Sequence, residues 1–220
     1  MSCYNPAWHP MSRPRAKKIK LLILDVDGVM TDGKLFFFPV PQGARQSTRK
    51  SQQKQADAGG YCISSDVMLE AKGFNAHDGT GISLARLGGL KTAVITKRIS
   101  ETVRLRCRDL RIDHVYQGIA DKLAVMHEIL RKEQLKPAQA AYLGDDVIDI
   151  PPMRACGLAI AVANARDNVK RIAHIVTEHA GGDGAVRDAV EYILKAQGTF
   201  ERIVEAYISD HQPRGANSGN

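Results

Sequence analysis

Hydrophobic and polar positions follow two rules along this chain. The stretch from Lys20, KLLILDV, is an unbroken apolar run closed by Asp-Gly. A run without alternation predicts a strand buried on both faces, as in a parallel sheet. Lys34 to Phe38 (KLFFF) predicts a second strand, and Val67 to Phe74 (VMLEAKGF) its return as a hairpin. The polar stretch between them, about 28 residues, is long for a plain connection and reads as a mobile insertion at the hairpin tip.

Beyond it, strands and helices alternate. A helix is expected over Thr80 to Leu87, stopped by Gly88-Gly89, then a strand over Leu90 to Thr96. Ser100 to Leu110 carries Val103, Cys107 and Leu110 at helical spacing, and Asp113 to Tyr116 is a short strand. Lys122 to Gln134 is a helix with Leu123, Met126 and Leu130 on one face; Gln139 to Leu143 is a strand ending in Gly144-Asp145-Asp146. A short helix near Pro152 to Ala155 precedes strands at Leu158 to Val162 and near His174 to Thr177, with another helix between those strands. Val186 to Leu194 and Phe200 to Ile208 keep the 3.6-residue period. This order implies an α/β fold: a doubly wound parallel sheet with a small β-hairpin flap and no large cap domain.

Charge refines the domain reading. The formal net charge is +7, but residues 1–20 hold five basic side chains and no acid, and residues 41–56 hold four more and no acid. Without these nine, 22 Lys and Arg face 24 Asp and Glu, so the body is not a nucleic-acid surface. The expected layout is a disordered basic tail over 1–17, one domain over 18–198 with a flap at 34–74 and a polar insertion at 40–61, and a helical then disordered tail over 199–220. No apolar run approaches a membrane span, and the N-terminus lacks the apolar segment of a secretory signal, so a cytoplasmic protein is expected. The four scattered cysteines form no CxxC pair and read as reduced thiols, with Cys107 and Cys156 in the core.

In such a sheet the ligand sits at the carboxyl ends of the strands. Four predicted strand ends carry chemistry: Asp25 and Asp27; Thr96, Lys97 and Arg98; Asp121-Lys122 after Tyr116; and Gly144-Asp145-Asp146 with Asp149. Each alone is a common turn, cap or surface residue. Converging, they suit Mg²⁺-assisted phosphoryl transfer. Carboxylates hold the metal, Thr96 and Lys122 hold the phosphoryl group, and an Asp nucleophile forms an aspartyl-phosphate while a second Asp moves the proton.

The segments Asp25-Val26-Asp27-Gly28-Val29, Thr96, Lys122 and Gly144-Asp145-Asp146-x-x-Asp149 resemble the four motifs of the haloacid dehalogenase superfamily of phosphohydrolases. The blocks Phe74-Asn75-x-x-Asp78-Gly79-x-Gly81-Ile82, Tyr116-Gln117-Gly118, Gly181-Gly182-x-Gly184-Ala185-Val186-Arg187 and Ala196-Gln197-Gly198 are similar to its phosphatases of 3-deoxy-D-manno-octulosonate 8-phosphate. That resemblance covers about residues 18–200. It implies Asp25 as nucleophile and metal ligand, Asp27 as acid/base and as a Mg²⁺ ligand through its carbonyl, and Asp145 as the third ligand. Substrate contacts are implied at Asp27, Asn75, Ala76, His77, Asp78, Gly79, Arg98, Arg106, Lys122 and Arg187. It also implies a homotetramer in which the tail of one subunit, supplied by Gly181 to Arg187, closes a neighbour's site. His77 and Ser83 stand where that family has Arg, and Lys97 where it has Gly, which leaves a nine-carbon ulosonate 9-phosphate as an alternative substrate. A receiver-like phosphoacceptor module is the alternative from another class.

Overall fold

The computed structural model describes residues 12–40, 61–62 and 68–211. The expectations for residues 1–11, for most of the insertion and for the last nine residues lie outside the described residues.

Six parallel strands form the central sheet: Leu21–Leu24 (β1), Lys91–Ile95 (β5), His114–Tyr116 (β7), Ala140–Gly144 (β8), Leu158–Ala161 (β9) and Ile175–Val176 (β10). Their spatial order is β10-β9-β8-β1-β5-β7. All residues of β1, β8 and β9 are buried, which requires cover on both faces of the sheet. Helices Ala76–Leu87 (α2) and Ala185–Gln197 (α7) pack on one another, as do Lys122–Lys132 (α4) and Ile150–Ala155 (α5). The remaining helices are Ser12–Ala16 (α1), Glu101–Asp109 (α3), Asp167–Lys170 (α6) and Phe200–His211 (α8).

The chain leaves β1 for β5 and β7 on one side, then crosses to β8, β9 and β10 on the other. β1 is therefore the switch point, where a crevice opens at the carboxyl ends. Register fixes its walls: Leu24 pairs with Val94 and with Leu143, so Asp25, Ile95-Thr96 and Gly144-Asp145 leave the sheet at one level.

The hairpin is antiparallel. Phe36–Pro39 (β2) pairs with Met68–Ala71 (β4), Phe38 opposite Leu69 and Phe37 opposite Glu70. Directly paired residues share a face, so Phe36, Phe38, Leu69 and Ala71 lie on one side and Phe37 and Glu70 on the other. At the far end of the insertion, Tyr61–Cys62 (β3) pairs in parallel with Arg98–Ile99 (β6).

Two expectations need correction. Residues 12–16 of the expected disordered tail form α1 on the body: Ser12 and Ala16 are buried, Ser12 Oγ lies 2.7 Å from Tyr192 Oη, and Arg15 donates to the Gly157 carbonyl at 2.8 Å. The helix expected from Thr80 starts at Ala76, because Asn75 caps it, accepting from the His77 N–H at 2.7 Å. Gly181 to Arg187, the segment expected to close a neighbour's site, lies close to Gly28 and Asp32 of its own chain: a side chain on Gly181 would strike the Gly28 carbonyl at 1.7 Å, and one on Gly182 the Asp32 N–H at 2.4 Å. The last helix, α8, packs on α2 and α7 with Ile203 buried.

Candidate active site

Asp25 continues the β1 ladder, donating its N–H to Leu143 at 3.1 Å. Its carboxylate accepts the Val26 N–H at 2.7 Å and is paired at 2.7 Å with Lys122 Nζ. Lys122, in the first turn of α4, is 1% exposed and is also 2.8 Å from Asp149 Oδ1. A buried ammonium costs several kcal/mol unless it is paired; here two carboxylates pair it. Asp149 in turn accepts the Tyr142 hydroxyl at 2.9 Å and the Asp145 N–H at 3.1 Å.

Carboxylate oxygens of Asp25, Asp145 and Asp149 all lie within 4.8 Å of one another. Asp145 Oδ1 is buried with no hydrogen-bond partner. Burial pushes the Asp145 carboxyl up to about 7, with Asp149 and Asp146 adding repulsion. Burial and then Asp149 push Asp25 up to about 8 against the pull of Lys122. An orphaned buried oxygen among repelling carboxyls is the donor set a hard divalent cation satisfies. Each oxygen of Asp149 already accepts two donors, whereas each oxygen of Asp25 accepts one, so the ligands that fit are Asp25, Asp145 and the Asp27 carbonyl, which takes no backbone donor among the described residues. Gly28 makes this close approach possible: its φ is +87°, and a Cβ there would sit 2.2 Å from Asp145 Oδ2.

Around this cluster the other predicted residues divide. Thr96 is 2% exposed at the end of β5, and its Oγ1 accepts the Arg98 N–H at 3.3 Å. Asp27 is held by Arg98 Nε at 3.2 Å and by Lys72 Nζ. Arg98 therefore contacts Asp27 here. Asn75, Ala76 and His77 form the rim at the start of α2, with Ala76 and His77 exposed. Arg106 lies behind that turn: its Nη2 is 3.5 Å from the Asn75 carbonyl and its guanidinium 5.8 Å from the Phe74 ring centre, and a Cβ on Gly79 would meet its Nη2 at 2.6 Å.

Several of the ten implied substrate contacts have partners within the chain, Asp78 and Arg187 among them. Asp78 is 3% exposed and accepts the Arg187 N–H at 3.0 Å, capping α7 from another helix. Arg187 is paired with Glu191 on its own helix at 2.6 Å. Conversely, Lys72 and Tyr142 were not singled out in the sequence. Lys72 had a signal: Glu70 and Lys72 alternate on one face of the hairpin strand, an unusual pair of charges. Tyr142 had none, since a tyrosine in a buried strand reads as core.

A model described as haloacid dehalogenase-like hydrolase matches residues 105–189. The 3-deoxy-D-manno-octulosonate 8-phosphate phosphatase of Yersinia pestis is 38% identical over 200 residues, 91% of this chain and 92% of that protein. The chain belongs to the haloacid dehalogenase-like hydrolases. Among solved haloacid dehalogenase-like structures, a probable YrbI family phosphatase of Pseudomonas syringae is 39% identical with a TM-score of 0.74, covering 89% of this chain and 96% of that one. The 3-deoxy-D-manno-octulosonate 8-phosphate phosphatase of Moraxella catarrhalis, in complex with magnesium, phosphate and KDO, is 30% identical with a TM-score of 0.75, covering 90% and 99%.

Proposed function

We propose that this protein is a Mg²⁺-dependent phosphoric monoester hydrolase that converts 3-deoxy-D-manno-octulosonate 8-phosphate to the sugar acid and phosphate, a step toward lipopolysaccharide. The observation that carries the chemistry is Lys122, buried between Asp25 and Asp149 beside the unpaired Asp145 oxygen. The similarity to phosphatases of that substrate over 91% of the chain carries its identity.

In this reading Asp25 attacks phosphorus, a P–O bond to its carboxylate forms, and the P–O bond to the sugar breaks. Asp27 donates the proton to the leaving oxygen, then takes one from the water that releases phosphate. Lys122 and the Thr96 hydroxyl hold the phosphoryl oxygens in line. The Val26 N–H and Lys122 fix the orientation of the Asp25 carboxylate. Mg²⁺, held by Asp25, Asp145 and the Asp27 carbonyl, would let the phosphate dianion approach the carboxylates. Asn75, Ala76 and His77 supply the rim facing the sugar acid, and Arg98 and Arg106 the cations near it. Assembly as a tetramer through the apolar face of the hairpin belongs to the same reading, as does a cytoplasmic location, supported by buried free thiols at Cys107 and Cys156.

Phosphate release from the eight-carbon and nine-carbon ulosonate phosphates, with and without Mg²⁺, tests it. The eight-carbon substrate is expected to turn over faster, and chelation to stop both. Equal or reversed preference overturns the substrate assignment and leaves the chemistry. Asp25→Asn is expected to abolish turnover with the protein still folded, since Asp149 continues to pair Lys122; retained activity would refute the nucleophile.

A further inference from the structure

At the end of the sheet opposite the active site lies a cavity of about 710 Å³ at the amino ends of β1, β5 and β8. Lys17, Lys18, Lys20 and Lys136 line it, with Ile19 and Leu90 in its floor. No carboxylate lines it, and the adjoining recess adds Arg13 and Lys195. It lies about 13 Å from Asp25, four residues of β1 at ~3.3 Å each.

Six of the other lysines are paired with carboxylates: Lys34, Lys72, Lys91, Lys122, Lys132 and Lys195 each have one within 4 Å. Lys17, Lys18, Lys20 and Lys136 have none among the described residues, yet they share one concavity. The carboxyl ends of α2 and α7 border it through Gly88 and Gln197. Two helix dipoles supply roughly half a negative charge each, which balances one ammonium and leaves three unmatched. Gln139 spends its side-chain carbonyl on the Lys136 N–H at 3.0 Å, and its amide hydrogens have no protein acceptor among the described residues.

We propose that this cavity is a second anion site, distinct from the catalytic centre, for a compact ligand carrying two or three linked phosphates. The four ammoniums sit on two segments, three at Lys17 to Lys20 and one at Lys136, and a chain of linked phosphates offers anionic oxygens to both where a single phosphate offers one compact group. The volume lies within the ~300–1,000 Å³ range of small-molecule sites. The apolar floor of Ile19 and Leu90 leaves room for a nucleoside on the same phosphate chain.

Calorimetric titration of the full chain in chelator, with inorganic triphosphate, ATP and orthophosphate, tests this. Triphosphate is expected to bind saturably, one per chain, and orthophosphate far more weakly. ATP tighter than triphosphate assigns a nucleotide, and equal affinity assigns the phosphate chain alone. The variant Lys20→Gln/Lys136→Gln is expected to bind triphosphate about tenfold more weakly or worse, with hydrolysis and melting temperature unchanged. Lys170→Gln and Thr96→Val are expected to bind it like the parent. Binding that survives the double variant, falls equally with Lys170→Gln, or disappears with Thr96→Val overturns the proposal, as does equal affinity for orthophosphate.

Discussion

Asp25 and Asp145 are acids that the folded chain prefers to keep protonated until a cation arrives. Burial is the first cause in both, and the neighbouring Asp149 charge the second. Their folded pKa values, about 8 and about 7, lie above the ordinary 3.8. The folded state therefore binds these protons more tightly than the unfolded one. Their contribution to stability is full below pH ~4 and is lost as pH rises through 7 and then 8. A divalent cation must displace the same protons. Apparent Mg²⁺ affinity is expected to rise through pH 7 to 8, by up to about tenfold per pH unit for each proton displaced. Mg²⁺ titrations followed by melting temperature check this; a flat profile would place the cation elsewhere. Asp25, Thr96, Lys122 and Asp145 were legible in the sequence because each stands just beyond an apolar run. For Lys72 the alternation with Glu70 was a signal of an unusual strand face but not of a partner, because Asp27 is 45 residues away and the pairing exists only once the hairpin has folded over the site.

Helix α2 shows what determines an element here beyond propensity. Its sequence, AHDGTGISLARL, opens with two glycines in the first six positions, a poor helix former. The fold requires them: a Cβ on Gly81 would meet Arg187 Cα at 2.9 Å, so Gly81 lets α2 and α7 approach closely, and one on Gly79 would meet Arg106 Nη2 at 2.6 Å. Asp78 then caps α7 across that contact, since the α7 cap residue, Gly184, has no side chain to do so. The partners are 109 residues apart, and no local pattern joins them. Hence the pattern predicts a helix only from Thr80, between the two glycines, and gives no sign that Asp78 caps α7. Asp78→Ala is expected to lower stability by about 1–2 kcal/mol, the worth of a buried cap, with the Michaelis constant little changed in the folded protein. A large rise in the Michaelis constant with stability intact would return Asp78 to the substrate. α1 follows the same logic: charge counting made it a tail, while Ser12, Arg15 and Ala16 fix it through Tyr192 and Gly157.

At the scale of the molecule, the parallel sheet and a crevice at the carboxyl ends of its strands followed from the apolar runs, because a fully buried parallel strand tolerates little else, whereas the strand order comes from the structure. The hairpin stands outside that frame, and its two faces have different tasks. Glu70 shares a face with Phe37, and Lys72 beyond it reaches Asp27. On the other face Phe36, Phe38 and Leu69 are 46%, 54% and 40% exposed. Two isolated strands are marginal in water, and three large apolar side chains side by side are the surface that the proposed assembly would cover. A second copy presenting the same stripe would bury it symmetrically, and would hold Lys72 and Asp27 in register from outside the chain. Phe36→Ser/Phe38→Ser is therefore expected to shift the protein to monomer in sedimentation, with the six-stranded body still melting cooperatively. Turnover is expected to fall with it, and to recover at protein concentrations high enough to restore assembly. Loss of turnover with the assembly intact would instead assign these phenylalanines to the site, and a parent protein already monomeric would refute the assembled form.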